Sequence, residues 1–125
     1  MNKLTAIIKD FSVNDLIKTK GNAFYYEIEL EIGTELEKGA DRFNIDVCNI
    51  EGLNIAYGSF IKEKKIIQFD HLMLIDNKNI DFIIKILKIR IESINGNDWV
   101  DITSKLTVFL NYEFSPNVPQ LLQEW

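Results

Sequence analysis

The stretch from Phe24 to Ile32 constrains this chain more than any other. It alternates strictly, with Tyr26, Ile28, Leu30 and Ile32 at one parity and Glu27, Glu29 and Glu31 at the other. Side chains on a strand point to opposite faces in turn, so this pattern demands a sheet with one buried face and one wet face. Gly33 ends the run, and residues 34 to 41, carrying Glu35, Glu37 and Gly39, are short enough for a hairpin connection. From Arg42 to Asn49 the pattern resumes, with Phe43, Ile45 and Val47 against Asn44, Asp46 and Cys48. Pairing the two strands antiparallel gives a sheet apolar on one side and acidic on the other, which antiparallel sheets tolerate.

Something must cover the apolar face, and residues 78 to 95 supply it. Ile80, Ile83, Ile84, Leu87, Ile91 and Ile94 recur at spacings of three and four, one face of an amphipathic helix. The isoleucines favour a strand by intrinsic preference, but a strand of this length is unusual. Asp76 or Asn77 is placed to cap the helix, and Asn95-Gly96-Asn97 to stop it. Asp81, Lys85, Lys88 and Glu92 balance in charge on its outer side, so it reads as scaffold. A short helix follows over 98 to 106, with Asn97 as cap and Trp99, Ile102 and Leu106 buried.

The remaining segments are less regular. Residues 3 to 12 mix Leu4, Ala6 and Ile8 with Ile7 and Phe11 at the other parity, as in a first strand with both faces partly covered. Residues 50 to 65, with Gly52, Gly58 and a Lys62-Glu63-Lys64-Lys65 run, read as a loop or broken segment holding a helical turn at Leu53, Ile55 and Ala56. Ile66 to Ile75 reads as a fourth strand, and Thr107 to Phe114 as a last one through Val108, Leu110, Tyr112 and Phe114. The expected fold is α+β: a mainly antiparallel sheet of four to five strands, with one long and one short helix packed on one face. Residues 1–115 form a single domain, and 116–125 a C-terminal tail with Pro116 and Pro119.

The functional inventory is narrow. The 125 residues include one histidine, His71, and one cysteine, Cys48, too few for a zinc site or an internal disulfide. A Cys48–His71 pair needs hydrogen-bond contact that sequence does not show, and Asp70 and His71 point apart on a strand. No glycine loop cradles a phosphate. Paired glutamates serve glycoside hydrolysis only within a cleft, and a solvated strand face is the commoner role. The reading is therefore a non-enzyme without cofactor or metal. No signal peptide or span of ~20 apolar residues is visible, which places the protein in the cytoplasm without a membrane partner. The net charge of −5 argues against nucleic acid, whose binding rests on lysine and arginine.

The order of Phe24, Ile32-Gly33, Gly39, Phe43, Val47-Cys48 and Leu53 resembles the first half of the immunity-protein-eight family. The second half is similar too: Leu74-Ile75-Asp76 before a helix, Asp98-Trp99 opening the next, then Lys105-Leu106 and Tyr112-Glu113-Phe114. The chain departs from the family in having Asn49-Ile50 where Thr-Pro is usual, and in lacking a proline at 18 to 21. The resemblance implies a small bacterial protein of polymorphic-toxin and contact-dependent growth-inhibition systems. Such a protein binds and neutralises the C-terminal domain of one cognate toxin, here expected to be basic, a ribonuclease or deoxyribonuclease, and acts as a monomer or weak dimer. The expected toxin-binding surface is the wet face and hairpin: Glu27, Glu29, Glu31, Glu35, Glu37, Asp41 and Asp46. Two other readings stand beside it. One is an adaptor or assembly subunit that pairs through a strand edge or the tail, and the other a small hydrolase built on His71.

Overall fold

The structure, a computed structural model, describes residues 3–65 and 69–114. The element order is β1 (Leu4–Asp15), β2 (Tyr25–Thr34), β3 (Asp41–Cys48), α1 (Ile50–Lys64), β4 (Leu72–Leu74), α2 (Ile80–Ile91), β5 (Asn95–Gly96), α3 (Trp99–Leu106) and β6 (Asn111–Tyr112). They build one six-stranded sheet in the order β4-β3-β2-β1-β5, with β6 also paired to β3. The α+β class, the β2–β3 hairpin and the alternation of both strands are as expected. The inner face carries Tyr26, Ile28, Leu30 and Ile32 of β2 with Phe43, Ile45 and Val47 of β3, packed against Ile83, Leu87 and Ile91 of α2 and Ile102 and Leu106 of α3.

Helix α2 is shorter than the pattern over 78 to 95. Its cap is Asn79, whose side chain accepts from the Phe82 N–H at 3.0 Å, rather than Asp76 or Asn77. Asn95 and Gly96 do not form its end; they pair with Leu4 and Thr5 as an edge strand. Asp98, not Asn97, caps α3, accepting from the Asp101 N–H at 2.8 Å.

Four expectations change. Residues 50 to 64 form the longest helix rather than a broken segment, so the sheet has helices on both faces, not one. Asn49 caps α1 by accepting from the Gly52 N–H at 2.7 Å. The helix is also a crossover, so β4 runs parallel to β3; parallel neighbours need such a connection. The fourth strand is reduced to Leu72–Leu74; residues 66 to 68 lie outside the described residues. The last strand shrinks to Asn111–Tyr112 because α3 unwinds through successive turns, with the Phe109 and Leu110 N–H groups donating to the Leu106 carbonyl. Val108 and Phe114 are consequently exposed while Leu110 is in the core.

The mixed parity of the first strand also has a different cause. Its register on β2 shifts between Ile8 and Asp10, where Lys9 is the extra residue of a β-bulge. One inserted residue flips every later side chain to the other face. Ala6 and Ile8 therefore point inward before the bulge, and Phe11 and Val13 point inward after it, opposite Leu30 and Ile28. The tail, residues 116–125, lies outside the described residues. Among the described residues no helix is long and apolar enough to cross a membrane.

Candidate functional site

The outer face of the sheet is built from the residues that the core rejects. Along β2 it presents Glu27, Glu29 and Glu31; along β1 their partners are Asn14, Ser12 and Asp10; along β3 they are Asp46, Asn44 and Arg42. The glutamates follow one another at about 7 Å, the two-residue repeat of a strand. Like charges so close repel, and the neighbours offset this only in part. The Asn14 amide donates to Glu27 at 2.7 Å. Arg42 approaches Glu29 at 3.9 Å with both side chains more than half exposed, a geometry that contributes little in water. Asp10 joins the face opposite Glu31 only because of the bulge, and strict alternation along β1 would not have found it.

Helix α1 closes one end of this face. The Tyr57 ring meets Tyr25 edge-on at 5.4 Å, and Tyr25 and Cys48, which share the outer parity, are fully buried beneath the helix. Close approach is possible because residue 52 is glycine: a Cβ there would lie 1.7 Å from the Phe24 carbonyl oxygen. Tyr25 donates its hydroxyl proton to the Asp46 carboxylate. Burial raises the pKa of Asp46, the Tyr25 hydrogen bond opposes that shift, and the Glu27 charge adds to it. Burial and then the Asp46 charge push the Cys48 thiol up to about 12, so it stays protonated and unreactive near neutral pH.

The hairpin residues divide. Glu35 and Glu37 are exposed at the tip, where the Glu35 carboxylate accepts from the Thr5 N–H at 3.3 Å and the Glu37 carbonyl accepts from the Lys9 ammonium. Asp41 lies at the inner parity, where Trp99 Nε1 donates to it at 2.8 Å and the Tyr112 hydroxyl at 2.6 Å. Burial, and next this hydrogen bond, push the Tyr112 hydroxyl up to about 12. Asp41 thus fastens α3 and β6 to β3 and is turned away from Glu27, Glu29 and Glu31.

His71 stands apart from all of these. It precedes β4 in a bend rather than lying within a strand, and its Nε2 sits 3.2 Å from the Thr107 carbonyl oxygen. Together with Asp70, Arg90 and Phe109 it borders a cavity of about 390 Å³ between β4 and α2. Cys48 is on the outer face under α1, so the two do not form a nucleophile–base pair. Among the described residues no group of three or more His, Cys, Asp or Glu is placed to hold a metal ion.

The geometry defines a protein whose most distinctive feature is a charged, open sheet face, not a cleft around a reactive group. The sequence profile of the family described as Immunity protein 8 matches residues 4–116, nine-tenths of the chain, and the chain belongs to that family. Membership makes it an immunity protein, the counterpart of a toxin, in a family that is generally non-catalytic. No curated protein and no solved structure matches the chain.

Proposed function

We propose that this protein acts in the cytoplasm by binding one cognate toxin domain, a nuclease of a contact-dependent or other polymorphic toxin system, and covering its active site. The observation that carries the reading is the alignment of Glu27, Glu29 and Glu31 on the open outer face, with Asp10 and Asp46 on the strands to either side. A nuclease holds its substrate's phosphates in a basic cleft. A rigid surface with carboxylates at regular spacing competes for that cleft, and the charge both speeds encounter and selects the partner. Glu35 and Glu37 extend the same sign of charge to the hairpin tip. The protein contributes no chemistry of its own; it inhibits by occupancy.

Reversing Glu27, Glu29 and Glu31 to lysine tests this directly. Association with the toxin domain should slow by at least ~10-fold at low salt and lose its dependence on ionic strength. The variant's far-UV spectrum should be unchanged, because all three side chains face away from the core. Unaltered association kinetics in this variant would remove the outer face from the interface.

A further inference from the structure

The sheet has two edges, and they are treated differently. On the β3 side the edge strands are only Leu72–Leu74 and Asn111–Tyr112, too short to template another chain. On the β1 side the first half is covered. Leu4 and Thr5 pair with β5, the Ala6 N–H donates to the Ile94 carbonyl at 3.0 Å, and the Ile8 N–H donates to the Glu92 carboxylate at 3.2 Å. Past the bulge, among the described residues, no strand pairs with this edge.

Which backbone groups are left there follows from one bond. The Leu16 N–H donates to the Tyr25 carbonyl at 2.9 Å, so Leu16 faces β2, and by alternation Asn14 and Ser12 do too. Phe11, Val13 and Asp15 therefore turn their N–H and C=O groups outward. The Phe11 N–H is occupied by its neighbour's carboxylate, Asp10, at 2.8 Å. A long strand usually protects such a stretch with lysine, proline or a further bulge; here the sequence is Phe-Ser-Val-Asn-Asp.

We infer that the free edge of β1, residues 11 to 15, accepts an extended segment of the toxin as an added strand. This rests on the immunity reading above and names the interface within it. The surroundings specify the segment. On the inner side Phe11 is part-exposed, and beside it a cleft of about 230 Å³ opens between the bulge and α2, lined by Ile8 and Ile84 with Lys88 at its border. On the outer side stand Asp10 and, behind the edge, Glu27 and Glu31. The matching strand alternates apolar and basic residues, its apolar side chains toward α2 and its lysines or arginines over the acidic face. Main-chain bonds to Val13 and Asp15 would set its register.

The test follows amide hydrogen exchange by NMR, residue by residue, in the full chain. The probe is a candidate toxin, the variable C-terminal domain of any large secreted protein that a neighbouring reading frame is found to encode. In the free protein Ser12 and Asn14 should exchange slowly and Val13 and Asp15 fast; in the complex Val13 and Asp15 should slow by at least ~100-fold. Val13→Pro removes an outward N–H and no bond within the sheet but trims a side chain packed against the core, so it is compared with Val13→Ala, which loses that packing and keeps the N–H. Val13→Pro should weaken toxin binding roughly 10-fold or more beyond Val13→Ala. Binding that leaves Val13 and Asp15 at their free rates overturns the edge assignment alone. Absence of any binding overturns the immunity reading and the assignment with it. Slow exchange of both amides in concentrated free protein, reversed on dilution, puts a second copy of the chain on the edge and overturns the toxin as its occupant.

Discussion

The two faces of this sheet share the same strands and obey opposite rules. Leu30 and Glu29 are adjacent in β2, yet Leu30 is fully buried under α2 and α3 while Glu29 is open to solvent. The inner face is organised by volume: what matters there is how completely the side chains fill the space between sheet and helices. The outer face is organised by charge along its open length, and only its end beneath α1 is packed, around Tyr25 and Cys48, with the Tyr25 hydroxyl donating to Asp46. A face free of packing duty can gather repelling carboxylates at small cost, and that freedom is what an interaction surface needs.

Substitutions should separate the faces in a graded series. Leu30→Ala deletes a fully buried side chain and should cost about 2–5 kcal/mol in chemical denaturation, with toxin association unchanged in whatever fraction stays folded. Gly52→Ala drives a methyl group into the Phe24 carbonyl and should cost about 2–3 kcal/mol by forcing α1 off the outer face. A smaller loss would mean that α1 shifts easily and that this end of the face is not fixed. Tyr25→Phe removes the hydroxyl that donates to Asp46 and should cost about 1–2 kcal/mol, because a part-buried carboxylate loses a partner. At the open end of the series, Glu29→Gln should change stability by less than ~0.5 kcal/mol while measurably slowing toxin association.

Asp46 sharpens the comparison through pH. Its pKa in the folded protein is raised above the ordinary 3.8, chiefly by burial. A raised group adds stability that is complete below its unfolded value and is lost as pH rises through its folded value. Asp46 therefore opposes folding at neutral pH, and Asp46→Asn, which keeps an oxygen for the Tyr25 hydroxyl, should raise the melting temperature at pH 7. The advantage should fade as the pH is lowered toward 4. A variant less stable than the parent at pH 7 would mean that the Tyr25 bond outweighs the burial.

How much of this was legible in the sequence depended on whether one period ran unbroken. The alternation of Phe24 to Ile32 gave β2, its hairpin and both faces, and the isoleucine spacing gave α2. Helix α1 was hidden by Gly52 and Gly58, which read as breakers, although Leu53, Ala56, Tyr57, Phe60 and Ile61 carry a three-and-four spacing and are all part-buried. Gly52 is there for close approach to Phe24, a tertiary demand invisible from neighbours in sequence. The bulge at Lys9 was hidden for a related reason: a single extra residue changes the parity, and the result resembles a strand covered on both sides. The same slip kept Asp10 out of the acidic set. Asp41 went the other way, since its charge matched the glutamates while its parity placed it under Trp99 and Tyr112. The last strand was overread because alternation continues through residues that turn out of α3.

Cys48 gives the outer face a built-in clock. Its thiol is sealed beneath α1 and shifted to about 12, so a thiol reagent can label it only when that helix lifts from the sheet. Labelling rate at fixed pH then measures how often this end of the face opens, without any added probe. A bound partner that clamps α1 would slow the clock, and one confined to the free edge of β1 would leave it running at its own pace.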